Sequence, residues 1–87
     1  MPKTLHSARQ RRLIEVLIKA RKNADLTQTQ VAAVLKRHQP FIATIESGQR
    51  RIDVVEFLDL AEILEFDACD VIQELQRLPG ARSTKRR

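Results

Sequence analysis

The sequence predicts an all-α fold, five helices in one small domain, on three observations. Apolar residues recur at three- and four-residue spacing, and no stretch alternates with period two for long. Two glycines and three prolines give strands and hairpins little support. Residue types that cap helices, Ser7, Thr27, Asp53 and Asp67, each stand just ahead of an apolar-periodic segment. With 87 residues, 43% of them apolar, the chain has room for one hydrophobic core, and with three Phe and no Tyr or Trp that core must be filled by aliphatic side chains.

The first helix is expected over Ala8 to Asn23, where Ser7 and Gln10 have capping-box spacing and Leu13, Val16, Leu17 and Ala20 share one face. Thr27 caps a short second helix, Gln28 to Leu35; Gln30 is placed to close a capping box, and Val31, Ala32 and Leu35 form the buried face. A connection of Lys36, Arg37 and His38 leads to a third helix, Gln39 to Ser47, with Pro40 in the first turn, where its missing N–H costs nothing. Gly48 ends that helix, since glycine takes the left-handed conformation of a helix stop freely. Asp53 caps a fourth helix, Val54 to Leu64, read with Val54, Phe57, Leu58 and Ala61 inward and Glu56, Asp59 and Glu62 outward. Asp67 caps a fifth, running to Leu78 with Val71, Ile72, Leu75 and Leu78 as its stripe, before Pro79 and Gly80 break it. The organisation expected is a flexible N-terminus over 1–7, a single domain over 8–78 and a basic, disordered tail over 79–87.

Composition excludes several classes. The longest apolar run, Val31 to Leu35, is far short of the roughly 20 residues that span a bilayer, and no signal-peptide hydrophobic region is present, so a cytoplasmic protein without membrane contact is expected. Cys69 has no second cysteine to pair with, and with His6 and His38 it makes no metal-ligand spacing, so neither metal nor other cofactor is expected. No Ser/His/Asp, Cys/His or paired-carboxylate arrangement lies on the predicted exposed face, which argues against an enzyme. No aromatic residues interleave with the basic ones, which argues against RNA.

Charge is unevenly placed. The net charge is +5, yet residues 53–78 hold eight acids against one arginine while residues 1–52 are strongly basic. An acidic helix behind a basic face leaves one electropositive surface, which suits a polyanion; the plainer reading of such runs is a solvated helix face. The motif decides between them. Two helices of eight to nine residues joined by about three residues have helix-turn-helix spacing and are too short to stand alone. With Ile42 and Ile45 turned inward against Val31, Ala32 and Leu35, the third helix presents Gln39, Pro40, Ala43, Thr44 and Ser47 to solvent. That face carries no acid and is flanked by Arg37, Arg50 and Arg51, as a groove-reading helix requires.

These stretches resemble a family. Leu26-Thr-Gln-Thr-Gln-Val-Ala-Ala-Val-Leu35 is similar to the second helix of phage-repressor and Cro-like helix-turn-helix proteins, the xenobiotic-response-element type of bacterial regulator. Gln39-Pro-Phe-Ile-Ala-Thr-Ile-Glu-Ser-Gly48 resembles their recognition helix and its exit, and Arg50 to Val54 their approach to a fourth helix carrying Leu60 and Ala61. The resemblance, over about Leu13 to Ile72, implies a lambda-repressor-like domain that binds double-stranded DNA as a homodimer in a bacterial or phage setting. It implies that Gln28 hydrogen-bonds a phosphate and that Gln39 and Thr44 face base edges, Gln matching the adenine donor–acceptor pair and Thr the thymine methyl. Pro40 and Ala43 join that face through shape and apolar contact. Thr27, Arg37, His38, Ser47, Arg50 and Arg51 are expected to position the DNA backbone, and Arg21 to pair with Glu46. Two departures stand out: Lys36 and Glu65 occupy places where many members have Gly, and a left-handed Lys36 costs on the order of 1 kcal/mol.

The function expected is a sequence-specific transcriptional regulator, a repressor acting as a dimer on an inverted repeat, with the fifth-helix stripe as a dimer contact. The alternative is an antitoxin-like interaction protein whose acidic residues 53–78 bind a basic partner protein while the same motif binds DNA.

Overall fold

Five helices are laid down where caps and apolar spacing place them. The computed structural model describes residues 7–38 and 40–80; Gln39 and the residues of the terminal segments beyond these limits lie outside the described residues. The helices are α1 (Ala8–Asn23), α2 (Gln28–Val34), α3 (Pro40–Glu46), α4 (Val54–Leu64) and α5 (Ala68–Gln76). Each of α1, α2, α4 and α5 opens on a side-chain cap: the Ser7, Thr27, Asp53 and Asp67 oxygens accept from backbone N–H groups of the first turn. At α2 and α4 the box is complete, with the Gln30 and Glu56 side chains accepting from the Thr27 and Asp53 backbone N–H.

The stops share one device. After α1, α2, α3 and α4 a residue takes positive φ, at Asp25, Lys36, Gly48 and Glu65. The next N–H then reaches a carbonyl five residues back, as from Arg37 to Ala32 and from Phe66 to Ala61. Only Gly48 takes this conformation without strain; Lys36 and Glu65 do adopt it, each at a cost on the order of 1 kcal/mol.

The core joins Leu17 of α1, Val31 and Ala32 of α2, Phe41, Ile42 and Ile45 of α3, Phe57, Leu60 and Leu64 of α4 and Val71 of α5, with Leu35 packed against it. α2 and α3 pack on each other as a helix-turn-helix, and α1 runs behind them against α3, α4 and α5. Arg9 of α1 donates to the Leu75, Gln76 and Leu78 carbonyls, satisfying the open end of α5. Among the described residues, no helix is long and apolar enough to cross a membrane.

Several readings need correction. α2 stops at Val34, α3 spans Pro40–Glu46, and α5 stops at Gln76, where Arg77 and Leu78 bond three residues back in a tighter turn. The register of α4 is rotated from the one expected: Val54 is 72% and Leu58 50% exposed, whereas Glu56 is buried beside Phe57 and Leu60. The apolar–polar pattern of the helix put Glu56 outside; its capping box and two arginine partners hold it in. Ile72, read as part of the fifth-helix stripe, is 46% exposed.

Candidate nucleic-acid interface

The outward side of α3 is built from small groups because Phe41, Ile42 and Ile45 are all drawn inward. Pro40 and Ser47 are exposed, Ala43 and Thr44 half-buried, and none of the four is charged. Gln39, expected beside them, lies outside the described residues.

Two clusters fix this helix. In the first, the Arg21 guanidinium of α1 meets Glu46 at the end of α3 in a two-pronged pair, Nε to Oε2 at 2.6 Å and Nη2 to Oε1 at 3.1 Å. The third prong, Nη1, donates to the Leu26 carbonyl at 2.9 Å, in the link between α1 and α2. The Gln28 amide of α2 donates to the same Glu46 Oε1 at 2.8 Å. A carboxylate only accepts, so the amide nitrogen must face Glu46. Three helices are thus tied at one carboxylate.

The second cluster lies at the other side of α3. Glu56 receives Arg37 Nη2 at 2.6 Å and both terminal nitrogens of Arg50 at 3.0 Å. Both guanidiniums stand over the Phe41 ring, 4.2 and 4.9 Å from its centroid, which adds cation–π attraction. The Arg50 hydrogen bonds, helped by the Asp53 backbone N–H, hold the Glu56 carboxyl below the usual glutamate range against the opposing effect of burial. Arg37 thus pairs with a protein carboxylate while its side chain stays partly open to solvent.

Hydrogen bonds also constrain what the α3 side chains can offer. The Thr44 hydroxyl donates to the Phe41 carbonyl at 2.8 Å, so a base would meet its methyl or its acceptor lone pairs. The Ser47 hydroxyl donates to the Thr44 carbonyl at 3.1 Å and must rotate before it can donate to a phosphate. Thr27, His38 and Arg51 are exposed around the same region of the chain. Thr27 Oγ1 is occupied as an acceptor in capping α2, and the His38 carbonyl accepts from Phe41 N–H.

Glu56 and Phe41 are the residues that sequence reasoning did not bring to this site. A signal existed for Glu56: Asp53 and Glu56 have the capping-box spacing, which pulls the second side chain back toward the helix start. Nothing in the local sequence signals that Phe41 underlies two arginines contributed by segments on either side of it.

Two short helices with a neutral outward face, braced from behind and flanked by arginines, define a helix-turn-helix of the DNA-binding class. The comparisons agree. A family model described as a helix-turn-helix domain matches residues 4–72. Among solved structures, the chain is similar to an XRE-family like protein from Pseudomonas syringae pv. tomato str. DC3000, at 37% identity and a TM-score of 0.76, over 86% of this chain and 92% of that one. Comparison with curated proteins returns no significant match. The chain belongs to the helix-turn-helix family of the XRE/Cro type, and it is a DNA-binding protein of the transcription-regulator class.

Proposed function

We propose that this protein is a sequence-specific, non-enzymatic repressor that lays α3 in the major groove and binds an inverted repeat as a homodimer. The observation that carries the reading is the pinned, acid-free face of α3, held by Arg21, Gln28 and Glu46 and flanked by arginines. Gln39 and Thr44 read base edges, with Pro40 and Ala43 supplying shape; Gln28, Thr27, His38, Ser47 and Arg51 set the register on the backbone. Gln39→Ala and Thr44→Ala are each expected to cut discrimination at their base pairs by about 1 to 3 kcal/mol, whereas Arg51→Ala weakens all sequences alike and lowers the salt slope. Titrations of cognate and scrambled duplexes at several salt concentrations check this, and equal losses on both duplexes for all three variants would contradict base readout.

The dimer contact proposed is an open apolar groove of about 460 Å3 between α1, α4 and α5, floored by Leu13, Phe57 and Leu75, with Val54, Leu58 and Ile72 exposed along it. A two-fold arrangement would bury these side chains against their own copies and space two α3 helices for half-sites about 10 bp apart or a multiple of that. Ile72→Asp is expected to give a folded monomer with weakened operator binding, read by sedimentation equilibrium. An unchanged dimer would place the contact elsewhere. A monomeric native protein that co-purifies with a small basic protein would favour the antitoxin-like reading, since α4 and α5 carry acids such as Asp59, Glu62 and Asp70.

A further inference from the structure

The Glu56 cluster has an asymmetry that a simple stabilising ion pair does not require. The Glu56 side chain is 11% exposed, while those of Arg37 and Arg50 are 41% and 40% exposed. The negative end points inward and two positive ends point outward. Each guanidinium carries five N–H donors in a rigid plane, more than one carboxylate can accept from two arginines, so donors remain to engage a second anion. The cluster carries a net charge of +1. It also spans the motif: Arg37 lies in the turn before α3, Arg50 in the segment after it, and Phe41 in α3 lies beneath both. Glu56 is bound in turn to the Asp53 backbone N–H at 3.0 Å, which ties the cluster to the first turn of α4.

We propose that Glu56 is a positioning residue for DNA binding, holding Arg37 and Arg50 as a preorganised two-arginine clamp for a backbone phosphate beside the groove that α3 enters. The inference rests on the DNA-binding reading above and deepens it. Its physical content is entropic. Long arginine side chains free in solution lose rotamer freedom when they bind a phosphate, whereas a pair already fixed by a buried carboxylate and an aromatic face has lost it in folding. An acid therefore strengthens the binding of a polyanion. Simple charge counting says the opposite, because removing Glu56 raises the net charge by one and should favour DNA.

The test is Glu56→Gln, which keeps an oxygen for the capping box but loses the charge that gathers the arginines. Binding to a mixed-sequence DNA duplex is measured by fluorescence anisotropy from about 50 to 200 mM salt, with circular dichroism to verify the fold. The expected result is a loss of about tenfold in affinity and a salt slope shallower by about one, as for one lost phosphate contact. Tighter binding with a steeper slope overturns the proposal, since the arginines then bind phosphate better unheld. An unchanged affinity and slope, with only a lower Tm, also overturns it and leaves Glu56 as part of the scaffold. If Glu56→Gln fails to fold, Arg50→Lys carries the test: charge is conserved but the planar fork is lost, so about a tenfold loss is expected, and unchanged binding overturns the clamp. Failure of the unaltered protein to bind any duplex sinks the DNA-binding reading and the clamp together; binding by it with unaffected variants sinks the clamp alone.

Discussion

Ile45→Ala is expected to lower the unfolding free energy by about 3 kcal/mol, within the range found for large-to-small changes in packed cores. Ile45 is 1% exposed and sits where α3 meets the core residues Val31 and Ala32 of α2 and Leu17 of α1. Truncation removes three carbons from a site whose neighbours are helices fixed at both ends by caps and tight stops, so the void has little freedom to collapse. A domain of this size holds only about 5 to 15 kcal/mol of stability, and on that scale the loss lowers Tm by roughly 15 °C. Ile45→Val, which removes one carbon, is expected to cost about 1 kcal/mol. Urea titrations monitored by circular dichroism give both values. A loss below about 1 kcal/mol for Ile45→Ala would mean that α3 is not anchored by this contact.

Arg21→Met is expected to cost a similar amount, about 3 kcal/mol, by a different route. The Arg21 and Glu46 side chains are only 13% and 8% exposed, so removing the guanidinium leaves a carboxylate with the Gln28 amide as its remaining hydrogen-bond partner in a poorly solvated place. The penalty is chiefly that of a buried charge left uncompensated, and less the loss of an attractive pair. It follows that Arg21→Met with Glu46→Leu should recover most of the loss, since no charge is then stranded. The recovered protein is nonetheless expected to bind DNA less well, because Gln28 loses the carboxylate that orients its amide. A double variant as unstable as Arg21→Met alone would contradict this account of the cluster.

How much was legible in the sequence follows from the range of the forces involved. Caps and stops act over three to five residues, and so Ser7, Thr27, Asp53 and Asp67 locate the helix starts, and α1 and α4 have the limits expected of them. The left-handed stops at Lys36 and Glu65 were signalled only through the resemblance, since both residues stand where many members carry glycine. The orientation of Glu56 was not. Helical periodicity treats a charged residue as a solvent marker, and that marker fails when cations from two other segments follow the carboxylate into the protein. Val54 and Leu58 are the converse case: apolar residues that the same rule turns inward lie exposed along the groove beside Ile72. At the site itself, the sequence places Thr44, Ser47 and Gln28 as polar groups on or just beside the two helices of the motif. It does not reveal that each already donates to a neighbour, because those hydrogen bonds depend on rotamers and on contacts between helices.

Specific reading of duplex DNA by α3 is measured by selection from a random duplex library at roughly physiological salt, where binding through phosphates alone is already weak. The expected result is enrichment of an inverted repeat whose half-sites lie about 10 bp apart or a multiple of that, with base preferences that relax in Gln39→Ala and Thr44→Ala. A folded protein that enriches no sequence would contradict it.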